Sequence, residues 1–230
     1  MCKALAETYA GVEAFCEAKG LTLNAQKTQL IFFKQPSRKI PDCSIIINNQ
    51  RLEPVREVKL LGVTLACHLT MSRHIDKVVS KCHGLLGMLA KAANMLDQKL
   101  LKLTYIALIR SHLEYASAIV AMAAPSHLKK LDIIQKMASR IITSSPRDAH
   151  SEPLLKSLAL DPLGARRLAH ITDIAKACQA GAVHPGLLDM LSPNTPMALV
   201  PTTRTTVGRK SSFFLGTLAL GNPTCSAHLS

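Results

Sequence analysis

A chain of 230 residues that is 48% hydrophobic is long enough to bury a core, in one large domain or in two small ones. Its 28 Lys and Arg residues outweigh 15 Asp and Glu residues and give a net charge of +13, which favours a polyanionic partner, nucleic acid above all. The first 20 residues carry three glutamates, and the longest apolar run, residues 115 to 124, is too short to cross a bilayer, so we expect neither a signal peptide nor a membrane span.

The first predicted elements are a helix and a strand. Apolar side chains recur at helical spacing over residues 4 to 19, and Gly20 supplies a C-terminal stop. The segment TQLIFFKQ, residues 28 to 35, has no helical period and is rich in strand-forming residues. We therefore expect a strand there.

Two further stretches complete the first 69 residues, which are predicted to run helix, strand, small hairpin, strand. The run CSIIINNQRLEPV predicts a short hairpin that turns at Asn48 and Asn49, because asparagine tolerates a positive φ. The run REVKLLGVTLACHLT predicts one apolar strand, in which Gly62 marks a bulge or a close backbone approach.

From Ser72 onward apolar side chains recur every three or four residues, which predicts the first helix of a bundle. A second helix opens at Asp97 and is apolar nearly all round as far as Ala123, and a third follows Pro125. The apolar stripe predicted for this third helix is Leu128, Leu131, Ile134, Met137 or Ala138, and Ile141. Residues 70 to 180 are thus predicted to form a helical bundle, and residues 181 to 230, rich in Gly, Pro, Ser and Thr, an irregular tail.

Basic residues concentrate in the predicted bundle, since residues 70 to 150 hold twelve Lys and Arg against five Asp and Glu. They fall in two rows at helical spacing, which are Arg73, Lys77 and Lys81 on one helix, and Lys129, Lys136 and Arg140 on another. Two such rows are suited to binding the negatively charged phosphate backbone of a nucleic acid. The alternative is that each row is only the solvated face of an amphipathic helix.

The chain shows no recognisable metal or catalytic motif. The spacing of His68, His74, His83, Cys67 and Cys82 matches no closed zinc site, so no metal is predicted. No phosphate-binding glycine loop, nucleophile elbow or HExxH motif occurs. The seven cysteines form no CxxC pair, which is typical of reduced thiols in a soluble intracellular protein, nuclear or cytoplasmic.

Four longer segments carry motifs in a distinctive order. GLTLNAQKTQLIFF places a Gly-Leu-x-x-Asn-x-x-Lys-Thr box before an apolar strand, and VKLLGVTLACHLTMSRHI places a Leu-Gly-Val core before a helix start. LTYIALIRSHLEYASAIV, with its Leu-Glu-Tyr, and LKKLDIIQKMASRIIT follow. In this order the segments resemble the end of the palm, the thumb and the connector of jockey-like non-LTR retrotransposon reverse transcriptases.

The resemblance implies a fold and site residues. The fold would be α+β and mostly α, with a small antiparallel palm remnant over residues 1 to 69, a helical thumb and connector over 70 to 180, and an irregular tail. Lys27 would match the palm lysine that assists departure of pyrophosphate. Leu61 and Gly62 would match the primer-grip strand, and the two basic rows would hold the duplex. Without the resemblance, the simpler interpretation of Lys27 is an exposed lysine before a strand, because lysines are mostly exposed.

The resemblance also implies partners and a cofactor. The partners would be an RNA/DNA template–primer duplex and the remaining palm and fingers of the parent enzyme. The magnesium-binding aspartates of the family are expected upstream of Met1, so no cofactor is predicted within this chain. The function expected is that of a reverse transcriptase fragment that grips the primer–template. The alternative is a non-catalytic nucleic-acid-binding or scaffold protein derived from a retrotransposon.

Overall fold

A computed structural model describes residues 2–34, 44–47, 50–180 and 182. The chain divides into two compact units, Met1–Thr70 and Met71–Ser230. The fold is α+β and mostly α, as the sequence predicts. Within the part of the chain that the structure describes, no helix is long and apolar enough to cross a membrane. Apart from residue 182, the predicted tail lies outside the described residues.

The first unit begins with helix α1, Cys2–Ala18, which ends where predicted. Gly20 has a positive φ of 69°, and the neighbouring Leu21 N–H donates to the carbonyl of Cys16 at 2.8 Å. This left-handed glycine turn satisfies carbonyls that the end of a helix leaves open. The small core of this unit centres on Leu52, with Leu5, Tyr9 and Leu30 packed against it.

Among the described residues of the first unit, the strands are short and form three pairs. Strand β1, Leu30–Ile31, pairs in parallel with β4, Pro54–Val55, and β2, Ile45–Ile47, pairs antiparallel with β3, Gln50–Leu52. The second pair confirms the hairpin predicted around residues 48 and 49, which themselves lie outside the described residues.

Strand β1 is shorter than the strand predicted for residues 28 to 35. Asn24 explains where it starts, because its backbone carbonyl accepts bonds from the Lys27 N–H and the Thr28 hydroxyl. These bonds hold a 3₁₀ turn, Ala25–Lys27, immediately before the strand. Residue 35 lies outside the described part of the chain.

The prediction of one bulged strand around Gly62 is wrong. Strands β5, Glu57–Leu60, and β6, Val63–Ala66, form an antiparallel hairpin whose two-residue turn is Leu61–Gly62. Both turn residues have positive φ, 46° and 85°, as in the type I′ turn that suits the twist of two paired strands. Glycine adopts this backbone without strain, whereas leucine does so at a cost.

The second unit begins with α2, Ser72–Ala92, and contains α6, Pro125–Ile142, which lies against it. Between them run α3, Gln98–Thr104, a π-helical segment, Tyr105–Arg110, and the short α4, Ser111–Glu114, and α5, Ser117–Val120. Helices α7, Ser151–Ser157, and α8, Leu163–Gln179, follow. Asp97 caps α3 as predicted, because its carboxylate accepts the Leu100 N–H at 2.7 Å.

The predicted second helix does not continue to Ala123. It breaks at Ala116, whose φ is 53°, so that α5 starts in a new direction. Before the break, every fourth side chain is buried, namely Leu101, Tyr105, Ile109 and Leu113. A spacing of four drifts around an ordinary 3.6-residue helix, and the wider π turn keeps these side chains on one face.

Helix α6 buries a slightly different stripe from the one predicted. Of the alternatives Met137 and Ala138, Ala138 is buried and Met137 is 37% exposed. Ile142 is buried in place of the predicted Ile141, which is half-buried. The stripe also contains the buried polar residue Gln135. Its Nε2 donates to the carbonyl of Asp161 at 3.0 Å, and its Oε1 accepts the Leu163 N–H at 3.3 Å, which fixes the start of α8.

We expect Gln135→Leu to lower the free energy of unfolding by about 1–3 kcal/mol, because it leaves the buried Leu163 N–H without its acceptor. Urea titration followed by circular dichroism measures the change. Met137→Gln, on the exposed side of the same helix, is the matched control and should stay within about 0.5 kcal/mol. Equal midpoints for Gln135→Leu and the unaltered chain would contradict the assignment.

Candidate nucleic-acid interface

The outward face of α2 carries three of the predicted binding residues. Ile75, Cys82 and Leu86 line the inward face and are almost completely buried. Arg73, Lys77 and Lys81 are exposed on the opposite side, because steps of four residues keep side chains on one face of a helix. The sequence pattern therefore places this row correctly on the surface.

Helix α6 carries the second predicted row, and its members differ. Lys129 and Lys136 are exposed. Arg140 is half-buried, and its Nε donates to the backbone carbonyl of Ala149 at 3.0 Å. Arg140 thus holds the segment after α6 in place, which the spacing of the basic residues does not indicate.

An ion pair joins the two helices that carry the rows. Lys130 Nζ of α6 lies 2.6 Å from Asp76 Oδ1 of α2, with both side chains about half exposed. An exposed pair of this kind contributes about 0–1 kcal/mol to stability. The pair connects the two helices that carry the basic rows.

Other arginines of the second unit are engaged within the bundle. Arg166 of α8 forms a two-pronged hydrogen bond with Glu114, and Arg110 Nε lies 3.8 Å from the same carboxylate. The hydrogen bond with Glu114 raises the pKa of Arg166. Arg167 Nη2 donates to Asp132 Oδ1 at 3.3 Å. These charges stabilise contacts between helices and lie apart from the two rows.

The candidate residues of the first unit lie on two different elements. Lys27 is exposed in the turn before β1, with its backbone N–H on the Asn24 carbonyl at 3.1 Å. Leu61 and Gly62 form the tip of the β5–β6 hairpin, where the Leu61 side chain is 84% exposed. Strands β1 and β5 belong to separate pairs. No metal-binding group of three His, Cys, Asp or Glu side chains occurs among the described residues.

One histidine and one cysteine of α2, His74 and Cys82, are buried. Burial raises the pKa of the Cys82 thiol to about 11, so Cys82 stays protonated and apolar. His74 is buried and lines a small crevice with His112, Tyr115 and apolar side chains. Burial, and then the nearby charge of Lys77, lower the pKa of His74 from its usual 6.5.

Sequence patterns miss two polar contacts of this unit. The Ser117 hydroxyl and His170 Nδ1 lie 2.8 Å apart and connect α5 to α8. The Glu114 carboxylate accepts the two-pronged hydrogen bond of Arg166, and the one signal for it is the place of Glu114 in the Leu-Glu-Tyr segment. Both contacts join residues more than 50 positions apart, which local spacing does not reveal.

Comparison with known proteins gives two similar sequences. Over 133 residues, 55% of the chain, it is 30% identical to the RNA-directed DNA polymerase from mobile element jockey of Drosophila funebris. Over 155 residues, 66% of the chain, it is 26% identical to the protein of the same name from Drosophila melanogaster. The matched regions span 14% and 17% of those relatives. No family model matches the chain, and no solved structure does.

We expect the stability of the chain to fall as the pH drops below 6.5, in part through His74. The unfolded chain binds a proton at His74 in a pH range where the folded chain does not, so protonation favours unfolding, by at most about 1.4 kcal/mol per pH unit. Urea titrations across this range should show a shallower decline for His74→Gln. Parallel curves for the variant and the unaltered chain would contradict this role.

Proposed function

Because the chain is related in sequence to the jockey-like reverse transcriptases of non-LTR retrotransposons, we propose that it holds an RNA/DNA template–primer duplex through the exposed basic rows of α2 and α6. In this proposal it is the segment of such an enzyme that comprises the end of the palm, the thumb and the connector. The observation that carries the proposal is the pair of outward rows on two helices that lie against each other.

The geometry of the rows suits a phosphate backbone. Residues four apart on a helix rise by about 6 Å, so Arg73, Lys77 and Lys81 offer regularly spaced positive charges. Lys129 and Lys136 add charge on the neighbouring helix. Cations that neutralise phosphates release counterions and bind duplexes with little dependence on sequence.

The first unit has a different proposed role. Lys27 would act as an accessory cation beside the leaving pyrophosphate of the parent enzyme, where developing negative charge needs a positioned donor. Leu61 and Gly62, at the exposed hairpin tip, would lie against the primer terminus. In this scheme the magnesium ions and their aspartates belong to other parts of the parent polymerase, together with the remaining palm and fingers.

A second candidate is a non-catalytic scaffold or nucleic-acid-binding protein of retrotransposon origin. The observation in its favour is the exposed apolar surface of the segment around α3, where Leu100, Leu103 and Leu108 are about half exposed. Apolar side chains of this size on a surface are typical of contacts with another protein. A scaffold would bind its partner without a steep dependence on salt.

We expect the combined replacement of Arg73, Lys77, Lys129 and Lys136 by Glu to abolish binding of a short RNA–DNA duplex. Each lost phosphate contact removes about 0.9 from the slope of log K against log salt, and the four new negative charges repel the duplex. Fluorescence anisotropy over a range of salt concentrations measures both effects.

The matched control replaces Lys99, Lys102, Lys156 and Lys176 by Glu, which changes the net charge equally on other elements. This variant should retain most of the salt slope. Thermal unfolding verifies that both proteins fold. Duplex binding that survives in the first variant, or falls equally in the control, would contradict the proposed interface.

A further inference from the structure

The segment that follows α6 is folded back onto Arg140. Two residues after the end of α6, Ser144 has a φ of 51°, and the next N–H, that of Ser145, donates to the carbonyl of Arg140 at 2.9 Å. The Arg140 side chain then reaches the other end of the segment, where its Nε donates to the carbonyl of Ala149 at 3.0 Å. One residue therefore closes a loop of residues 145 to 149 from both sides.

Further bonds restrict the same loop. The hydroxyls of Thr143 and Ser145 lie 2.8 Å apart, and the Ala149 N–H donates to the carbonyl of Pro146 at 3.2 Å. Proline also fixes its own φ. A loop this short, with bonds at its start, middle and end, has few conformations left to lose on binding a ligand.

Arg147 occupies the middle of this loop and is exposed. It is two residues from Ser145 and two from Ala149, so its Cα lies within about 7 Å of theirs. The loop is thereby held at the C-terminal end of α6, which lies six residues after Lys136. Two other ionisable residues are close in sequence. Asp148 is exposed, and its negative charge would repel a phosphate, and His150 follows the loop.

We propose that Arg147 is a phosphate-contacting residue of the nucleic-acid interface and that Arg140 is the positioning residue that holds it in place; this inference rests on the proposed function. The ligand class is a phosphodiester backbone. A guanidinium presents a planar set of donors that can bind two phosphate oxygens at once, and a loop that is ordered beforehand lowers the entropy cost of binding.

The test uses the full chain and a short RNA–DNA duplex, with the salt slope of binding measured for Arg147→Gln, Arg140→Lys and the double variant. Arg147→Gln should lower the slope by about 0.9, the value of one phosphate contact. Arg140→Lys keeps the charge but lacks the Nε–H that bonds to Ala149. It should lower the slope by a similar amount, and the double variant should match either single variant.

Amide hydrogen exchange separates positioning from direct contact. The Ala149 N–H bonds to Pro146, so Arg140→Lys should speed its exchange, whereas Arg147→Gln should leave it unchanged. Asp148→Asn, which removes the opposing charge, should tighten binding severalfold at low salt. Lys156→Gln is the control for a lost surface charge, since Lys156 pairs with Glu152 at 3.0 Å on α7, and its slope should not change.

Other results would overturn the inference. If Arg140→Lys keeps the full slope and Arg140→Gln loses it while Arg147→Gln has no effect, Arg140 itself contacts the phosphate. Lys136→Gln distinguishes this failure from that of the proposed function. If Lys136→Gln lowers the slope and Arg147→Gln does not, the interface stands and the role of Arg147 is wrong. If neither variant has an effect, the interface itself is wrong.

Discussion

The second unit depends on the contact between α2 and α6. Each helix turns an apolar stripe inward, with Ile75, Cys82 and Leu86 on α2 and Leu131, Ile134 and Ala138 on α6. Burial of these side chains supplies the main driving force and leaves the opposite faces in water. The residues of the basic rows are exposed because the apolar residues of the same helices take up the inward faces. The same sequence period therefore produces the core and the candidate interface.

Some basic residues of the second unit pair with carboxylates inside the bundle, and others are exposed on its surface. Arg166 and Arg167 of α8 pair with Glu114 and Asp132 inside the bundle and so orient α8, and Arg110 lies beside the same Glu114 carboxylate. Lysines dominate the exposed rows, where a flexible, well-hydrated cation suits contacts that do not read sequence. The net charge of the chain thus overstates the charge that a duplex would meet, and the positions of the residues matter more than their number.

Elements with a strong local signal could be predicted from the sequence, and others could not. The Asp97 cap and the exposure of Lys77 and Lys81 follow from residue type and helical spacing. The sequence does not indicate the turn at Leu61–Gly62, because leucine is rare at positive φ. Gly62 alone suggests only a bulge. The helix break at Ala116 has no turn residue to mark it, since alanine is a strong helix former.

The candidate site shows the same division between local and distant contacts. Spacing identifies Arg140 as part of a basic row, but its hydrogen bond goes to a backbone carbonyl nine residues away, which any residue type can supply. Gln135 looks like an ordinary polar interruption of a stripe until its bonds to residues 161 and 163 are known. Roles that depend on backbone partners in another element leave no trace in residue spacing.

The most direct measurement of the central claim is lysine footprinting of the chain with and without an RNA–DNA duplex. An amine-reactive reagent labels exposed lysines, and mass spectrometry compares the extent of labelling at each one. We expect Lys77, Lys81, Lys129 and Lys136 to become protected while Lys99 and Lys156 remain reactive. Protection of Lys99 and Lys156 alone, or equal protection at every lysine, would contradict it.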